Sequence, residues 1–324
     1  MQQETLKRLT LVVPCYNEEG NVEAFYHTAK QDFTDFPFDI NFIFVNDGSA
    51  DRTLEVLKKI QALDPKRVTV ISFSRNFGKE AAIYAGLKEA HSEYISIIDA
   101  DLQQQPALVR TMVEYLEDNP SYDCVAMFQE NRGEGKLLSF FKNCFYKLIN
   151  SMSDVRFMQG ASDFRTFRQS VADAILSMSE YHRFSKGIFS WVGFQTHYMP
   201  YQAQQRNSGE SKWSFLKLFR YAIDGIVAFS VAPLRVAMWG GVISALAAFF
   251  YTIVVIVQKL CFGISVSGFA TIVILIMFFG SVQLLTLGIV GEYLARIYLE
   301  VKHRPIYIAK EIIRSENRQT ENKS

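Results

Sequence analysis

Tyr94-Ile-Ser-Ile-Ile-Asp99-Ala-Asp101-Leu-Gln103 is a short apolar run that ends in two carboxylates one residue apart. The run predicts a buried strand from Tyr94 to Ile98. Alternation along an extended chain would put Asp99 and Asp101 on the same side. Two acids so close repel each other unless a cation lies beside them. Carboxylates with a nearby amide oxygen, here Gln103, suit Mg²⁺ or Mn²⁺.

The same motif has a second interpretation, an acidic cap at the start of a helix. Pro106 opens a helical pattern just beyond the two acids, and proline is favoured in the first turn of a helix. From this motif alone, a metal site and a helix cap remain open alternatives.

Strand-like and helix-like segments alternate up to about residue 130. This pattern predicts an α/β fold with a doubly wound, mostly parallel sheet and helices on both faces. The predicted strands are Leu9–Pro14, Ile40–Val45, Val68–Phe73, Tyr94–Ile98 and Asp123–Phe128. The predicted helices begin near Asn21 and at Asp51, Lys79 and Pro106.

Polar clusters follow the first four predicted strands, and the carboxyl ends of parallel strands line one crevice, where open α/β sheets bind ligands. Asp47 is interpreted as a ligand for a base or ribose, whereas Asp51 is interpreted as a helix cap and Asn76-Phe-Gly78 as a turn. The clusters are Pro14–Glu18, Asn46–Asp51, Ser74–Lys79 and Asp99–Gln103.

The distal part of the chain is strongly apolar, although the hydrophobic content of the whole chain is only 49%. Val236–Val257 and Leu260–Gly291 contain no charged residue. A helix over the first stretch rises about 33 Å, against a hydrocarbon core of about 30 Å. We predict two transmembrane helices, at about 236–257 and 268–290. Residues 1–11 show no signal-peptide pattern.

Basic residues flank these spans unevenly, and the positive-inside rule places basic flanks in the cytoplasm. We therefore expect a multi-pass protein of the cytoplasmic membrane, with the first domain and both termini cytoplasmic. The predicted parts are a cytoplasmic domain (1–210), an amphipathic juxtamembrane helix (211–235), the hairpin of two transmembrane helices (236–291) and a cytoplasmic tail (292–324). A second amphipathic stripe, Leu138–Leu148, either lies on the membrane or packs on the sheet.

Net charge and the spacing of cysteines and histidines argue against a nucleic-acid-binding protein and against a Cys/His metal or redox site. The net charge of +1 gives no field that would attract nucleic acid. The four cysteines and five histidines show no metal-ligand or redox spacing. The cysteines fit a reducing compartment.

At this point the chain resembles a known family. The four clusters, together with Gly160-Ala-Ser-Asp163-Phe-Arg165 and Arg206-Asn-Ser-Gly-Glu-Ser211-Lys212, resemble in order the signature of the family 2 inverting glycosyltransferases. With the hairpin, the chain resembles the bacterial polyprenyl-phosphate (bactoprenol) glycosyltransferases, relatives of dolichyl-phosphate mannose synthase. The resemblance implies a nucleotide-sugar-binding fold of GT-A type.

The resemblance also implies roles for single residues. Asp101 and Gln103 would bind Mg²⁺ or Mn²⁺, and the proposed catalytic residues are Asp101, Arg132 and Asp163. Asp163 either orients the acceptor or acts as a base, or it forms a structural ion pair with Arg165. The residues implied in donor binding are Pro14, Tyr16, Glu18, Val45, Asp47, Asp99, Ala100, Arg206 and Lys212.

The implied activity is a hexosyltransferase. It would move one hexose from a nucleotide sugar, with UDP-glucose or UDP-N-acetylglucosamine favoured, to undecaprenyl phosphate with inversion, for modification of a cell-envelope glycan. The expected partners are this donor, this acceptor, the bilayer and further copies of the chain, and no nucleic acid. A processive polysaccharide synthase and a non-catalytic scaffold or carrier of lipid-linked sugar are the alternatives, although the chain lacks the synthase motif Gln-x-x-Arg-Trp and the spans contain no ionisable residue.

Overall fold

The computed structural model describes residues 6–129, 150, 158, 160–202, 227–228, 230–262 and 268–316 of the 324-residue chain. Three of the predicted site residues, Arg132, Arg206 and Lys212, lie outside the described residues. The stripe Leu138–Leu148 and the amphipathic segment 211–226 lie outside them as well.

One eight-stranded mixed sheet forms the centre of the catalytic domain, in the order β7-β5-β6-β4-β1-β2-β3-β8. Strands β4, β1, β2 and β3 are parallel to one another, and so are β5 and β7, whereas β6 and β8 run antiparallel to their neighbours. The strands are β1 (Arg8–Cys15), β2 (Asp39–Asn46), β3 (Val68–Phe73), β4 (Tyr94–Ile97), β5 (Cys124–Gln129), β6 (Ala161–Arg168), β7 (Thr196–Tyr201) and β8 (Ala309–Ile313).

Helices cover both faces of this sheet, so the predicted doubly wound α/β fold is confirmed. Buried side chains of α1, α2 and α4 share one core with the sheet, for example Phe25, Leu57 and Val109. Those of α3, α5 and α6 share the second core, with Leu87 and Ile188. These helices are α1 (Val22–Asp32), α2 (Thr53–Leu63), α3 (Lys79–Glu89), α4 (Ala107–Asp118), α5 (Gln169–Ser177) and α6 (Ser185–Trp191).

Helix α3 lies unusually close to the sheet because it carries a glycine at the contact. A Cβ atom at Gly86 would lie 2.2 Å from Val12 Cγ1 of β1. This close approach fixes α3 on the central strand. Its first residue, Lys79, therefore lies at the carboxyl edge of the parallel strands.

The predicted strands and helices of this domain agree with the structure to within one or two residues, but one expectation was wrong. Strand β4 ends at Ile97, so Asp99 lies in the loop after the strand and Asp101 in the turn that follows. Alternation along an extended strand therefore does not apply to Asp99 and Asp101. In the predicted cytoplasmic tail (292–324), residues up to Val301 are helical and Ala309–Ile313 form β8; the cytoplasmic location of this tail stays a prediction.

Two long apolar helices, α7 (Ala232–Phe262) and α8 (Phe269–Val301), follow the catalytic domain. Both are long and apolar enough to cross a membrane. Their large apolar side chains are exposed, for example Phe250 (63%) and Leu284 (71%), as expected of helices that face lipid. The predicted span 236–257 falls in α7, and the predicted span 268–290 begins one residue before α8. The Tyr293 hydroxyl of α8 donates to the Ser230 carbonyl just before α7, at 2.6 Å.

After α8, the chain returns to the catalytic sheet. Strand β8 pairs antiparallel with β3. Arg314 forms two hydrogen bonds of 3.0 and 3.1 Å with the Glu89 carboxylate at the end of α3. Tyr307 stacks on Phe73 with ring centroids 4.9 Å apart. Both ends of the two-helix hairpin are therefore joined to the same sheet.

Candidate active site

A lysine ammonium group occupies the centre of the polar crevice at the carboxyl edge. Lys79 Nζ lies 2.6 Å from Asp99 Oδ1 and 3.5 Å from Asp163 Oδ2. Burial alone would lower the pKa of Lys79, but the two carboxylates outweigh burial and raise that pKa. Lys79 is therefore charged at neutral pH. It joins α3, the loop after β4 and strand β6.

The Asp99 carboxylate has a partner on each oxygen. Its Oδ1 faces Lys79, and its Oδ2 accepts a hydrogen bond from Gln104 Nε2 at 3.2 Å. Gln104 Oε1 also accepts from the Asp99 backbone N–H at 3.0 Å. Gln104 thus fixes both the main chain and the carboxylate of Asp99, and the Lys79 ammonium group compensates the charge of that carboxylate.

Asp163 is ionised and has one buried oxygen. Burial alone would raise the pKa of Asp163, but the positive charges of Lys79, Lys186 and Arg165 outweigh burial and lower that pKa. Asp163 Oδ1 is buried and has no hydrogen-bond partner among the residues that the structure describes. A carboxylate with a lowered pKa is a weak base.

Arg165, the ion-pair partner considered for Asp163, is engaged elsewhere. Its Nη2 donates to the Ser162 carbonyl at 2.8 Å. Its guanidinium group lies 4.0 Å from the centre of the Phe189 ring. Asp163 forms an ion pair with Lys79, at 3.5 Å.

Asp47 shapes the loop that leads to Lys79. Its carboxylate oxygens accept hydrogen bonds from the backbone N–H groups of Phe77 at 2.6 Å and Gly78 at 2.9 Å. Burial raises the pKa of Asp47, because it outweighs these two bonds. The adjacent Gly48 has φ +63°, and a Cβ atom there would lie 2.3 Å from the Arg75 carbonyl carbon. The two loops therefore pack backbone to backbone.

Asp101 and Gln103 lie in the turn after β4. The Gln103 backbone N–H donates to Asp101 Oδ1 at 3.1 Å. Leu102 between them has φ +59°, a left-handed conformation that is uncommon outside glycine and concentrates at functional sites. This turn presents one carboxylate and one amide side chain at the carboxyl edge.

These residues fit a Mg²⁺ or Mn²⁺ ion that is shared with a substrate. In the described part of the chain, no three His, Cys, Asp or Glu side chains are grouped to hold a metal. Mg²⁺ is commonly held by one or two carboxylates together with substrate phosphates and water. Asp101 supplies such a carboxylate, while Lys79 already compensates Asp99.

The remaining predicted donor residues in the described part of the chain lie at or just after the ends of β1, β2 and β4. Tyr16 is 47% exposed, whereas Asp47, Val45 and Ala100 are buried. The partly buried Glu18 carboxylate accepts from Asn21 Nδ2 at 2.6 Å. Pro14 is also partly buried, at the end of β1. Their contacts with a donor remain predictions.

Asp51 does act as the cap that its position predicts. Its Oδ1 accepts hydrogen bonds from the Thr53 backbone N–H at 3.0 Å and from the Thr53 hydroxyl at 2.5 Å. Thr53 is the first residue of α2. These bonds lower the pKa of Asp51, although burial opposes them.

Sequence reasoning missed four residues of the site: Lys79, Glu80, Gln104 and Ser185. The Glu80 carboxylate accepts hydrogen bonds from the backbone N–H of Ser185 at 2.9 Å and from its hydroxyl. Burial, helped by the charge of Asp163, raises the pKa of Glu80 to about 7. Lys79 ends the quoted cluster Ser74–Lys79, although no role was assigned to it, and Gln104 directly follows the quoted cluster Asp99–Gln103; both positions were a usable signal. No local pattern links Glu80 to Ser185.

Comparison with known proteins places this geometry in a family. Residues 10–176, which contain β1 to β4, the Lys79 cluster and the acidic turn, match the family described as Glycosyl transferase family 2. The chain belongs to glycosyl transferase family 2. This family member is therefore an enzyme of the glycosyltransferase class, as the motifs predicted.

Relatives match nearly the whole chain, including α7 and α8. The CsbB protein of Bacillus subtilis is 41% identical over 303 residues, covering 94% of this chain and 91% of the relative. The bactoprenol glucosyl transferase of Shigella phage SfV is 38% identical over 304 residues, covering 94% of this chain and 98% of the relative. The prophage bactoprenol glucosyl transferase homolog of Escherichia coli K12 is 35% identical over 306 residues, covering 94% and 99%.

Solved structures of glycosyltransferases match the catalytic part at low identity. The mannosyltransferase PcManGT from Pyrobaculum calidifontis, solved with GDP-Man and Mn²⁺, is 18% identical with a TM-score of 0.43, covering 61% of this chain and 56% of that one. Glucosyl-3-phosphoglycerate synthase from Mycobacterium tuberculosis is 16% identical with a TM-score of 0.47, covering 68% and 76%.

Proposed function

We propose that this family 2 glycosyltransferase moves one hexose, with glucose favoured, from a nucleotide sugar to a polyprenyl phosphate in the membrane. The observation that carries the proposal is the match to the bactoprenol glucosyl transferase of phage SfV over 94% of this chain. That match extends over the catalytic domain and both apolar helices. UDP-glucose as the donor and inversion at the anomeric carbon are the finer parts of the proposal.

The acceptor explains why the site needs no strong base. A polyprenyl phosphate is an anion at neutral pH, so its oxygen can attack the anomeric carbon directly. The new bond forms between that oxygen and the anomeric carbon as the bond to the nucleoside diphosphate breaks. Asp163, whose pKa is lowered, is accordingly assigned to holding Lys79 rather than to accepting a proton.

The main task of the site is then to position two anionic substrates next to each other and to compensate their negative charges. Lys79 keeps Asp99 and Asp163 compensated while the donor is bound. Asp101 and Gln103 are the residues that would hold Mg²⁺ or Mn²⁺. When bound, such an ion offsets the negative charge that gathers on the leaving diphosphate. Arg132, Arg206 and Lys212 are proposed, from the family resemblance, to bind phosphate groups.

The course of the chain supports a membrane hairpin with both ends on one side. α7 leaves the catalytic domain, and the segment after α8 returns to it as β8 beside β3. One sheet cannot lie on both sides of a bilayer, which supports a hairpin with both ends on the side of the catalytic domain. Basic flanks support the cytoplasm as that side. A homo-oligomer packed through the spans is a further prediction.

Sugar transfer can be tested directly with the purified full chain. The protein is incubated with undecaprenyl phosphate, Mn²⁺ and a panel of radiolabelled nucleotide sugars. We expect chloroform-soluble label with UDP-glucose, and a β-linked product by NMR from the α-linked donor. No lipid-soluble label with any donor would refute the proposal, and retention of the α configuration would refute inversion alone.

Membrane topology needs a separate measurement. In a variant background that lacks Cys261, Lys259→Cys at the hairpin tip should react with a membrane-impermeant maleimide in intact cells. Lys310→Cys in β8 and Lys59→Cys in α2 should react only after permeabilisation. Labelling of Lys310→Cys in intact cells would contradict the hairpin.

A further inference from the structure

Helix α8 continues well beyond the apolar stretch that crosses the bilayer. The charge-free stretch ends at Gly291, and Glu292, Arg296 and Glu300 follow within the same helix. Charged side chains are costly in the hydrocarbon core. Residues 292–301 therefore form an extension outside that core, which rises about 15 Å.

One face of this extension contacts the chain itself. The Tyr293 hydroxyl donates to the Ser230 carbonyl at 2.6 Å. Glu300 Oε2 accepts from the Tyr181 backbone N–H of the catalytic domain at 3.0 Å. Arg296, only 17% exposed, pairs with Glu292 at 3.5 Å. These contacts fix how the extension is rotated about its own axis.

The other face is apolar and exposed. Leu294, Ile297, Tyr298 and Val301 follow the i, i+3, i+4, i+7 spacing of one helix face. Their exposed fractions are 61%, 58%, 59% and 67%. We call these four residues the apolar stripe. Large exposed apolar patches are typical of interaction surfaces and ligand-binding grooves.

The apolar stripe ends at a group of basic residues. Lys302, His303 and Arg304 follow it directly and are exposed. Lys302 Nζ lies 4.0 Å from the centre of the Tyr298 ring, so the first cation touches the stripe. A ligand that covers both features has a long apolar chain and an anionic head.

The basic group leads to the same edge of the sheet as the active site. Tyr307 stacks on Phe73, the last residue of β3. The Ser74 backbone N–H donates to the Ile308 carbonyl at 3.0 Å. Residues 302–308 thus approach the carboxyl end of β3, and the loop from that end leads to Lys79. Residues 302–308 therefore lead from the apolar stripe toward the edge of the sheet that carries the crevice.

We propose that the apolar stripe and residues 302–304 bind the polyprenyl phosphate acceptor as it leaves the bilayer. The first two isoprene units lie on Tyr298 and Val301, the following units lie on Leu294 and Ile297, and the phosphate lies against Lys302 and Arg304. This inference rests on the proposed function. It adds the route by which the acceptor phosphate rises from the membrane surface to the donor.

The test compares two acceptors with the full chain in detergent: undecaprenyl phosphate and citronellyl phosphate, which has two isoprene units. The double variant Leu294→Ser/Ile297→Ser should raise the KM for undecaprenyl phosphate about tenfold, since two apolar contacts are lost. Its KM for citronellyl phosphate should change much less, and its KM for the donor should not change. Leu63→Ser, at an equally exposed leucine of α2 (72%), is the matched control.

A second variant tests the basic group. Lys302→Gln/Arg304→Gln should raise the KM for both acceptors, because both carry the phosphate, whereas Lys59→Gln should not. An unchanged acceptor KM in both double variants overturns the inference. Two further outcomes overturn it. If the variants only dissociate an oligomer, the occupant of the stripe is a second copy of the chain. If they only release the protein from vesicles of anionic lipid, the occupant is the membrane surface. A wild-type chain that uses neither acceptor refutes the proposed function itself.

Discussion

The Lys79 ammonium lies 2.6 Å from the Asp99 carboxylate, which joins the first residue of α3 to the loop after β4. The same ammonium lies 3.5 Å from Asp163 in β6. Three elements that are distant in the sequence thus meet at one charge. Removing that charge leaves two carboxylates facing each other without compensation.

Lys79→Met should therefore lower kcat/KM for sugar transfer by about 100-fold, a size typical for loss of one preorganised charged group. Initial rates at varied donor concentration measure the effect. Lys88→Gln changes an exposed lysine near the other end of α3 and should leave the rate unchanged. Near-normal activity of a folded Lys79→Met would show that this ion pair is only structural.

The two acids of the turn should respond differently to metal. Asp101→Asn should raise the Mn²⁺ concentration needed for half-maximal activity, because it removes a charged metal ligand. Asp99→Asn should lower activity without moving that concentration, since Asp99 is paired with Lys79. Chelation with EDTA should abolish wild-type activity, and added Mn²⁺ should restore it. Equal metal requirements in both variants would contradict this division of roles.

Glu80 should make the stability of the catalytic domain depend on pH. The pKa of Glu80 is raised from 4.5 to about 7 in the folded state, so the folded protein keeps a proton that the unfolded chain loses. Its contribution to stability is fully present below pH 4.5 and is lost as the pH rises through about 7.

Glu80→Gln keeps an oxygen that can accept from Ser185 but does not titrate. Its free energy of unfolding relative to wild type should therefore rise between pH 4.5 and 7. Urea unfolding at several pH values measures this difference. The pKa of Asp163 is lowered, so that group titrates below this window. A pH-independent difference would show that Glu80 does not carry the raised pKa.

Gly48→Ala should be strongly destabilising. The new methyl group would lie 2.3 Å from the Arg75 carbonyl carbon, and the backbone has φ +63°. Overpacking and a left-handed conformation together cost about 3 kcal/mol. Gly20→Ala, where no atom lies within 4 Å of the added Cβ, is the control. Similar melting temperatures for the two variants would rule out the tight contact between the loops.

The parallel core was predictable because each strand is a short apolar run that ends in polar residues. Val68–Phe73 was predicted to the residue, since turn residues bound it on both sides. The acidic turn was placed correctly at the edge, but Ile97 rather than Ile98 ends the strand. Leu102 with positive φ turns the chain there, and no local pattern indicates that conformation.

The rest of the site was not predictable because it depends on long-range contacts. Glu80 and Ser185 are 105 residues apart in sequence. Strand β8 is short and includes the charged residues Lys310 and Glu311, so its sequence does not show the alternation of apolar and polar residues that predicts a strand. It forms because β3 offers an unpaired edge and Glu89 attracts Arg314. The ion pair between Asp163 and Lys79 likewise forms only because folding brings β6 next to the start of α3.

The position of β8 has a consequence for the order of synthesis. The ribosome makes β1 to β7 first, then α7 and α8, and only then the strand that pairs with β3. Until both spans have been made, the edge of β3 stays open to wrong partners. Under the proposed topology, a chain whose second span failed to insert would leave β8 on the far side of the bilayer. Completion of the sheet would then report on correct membrane insertion.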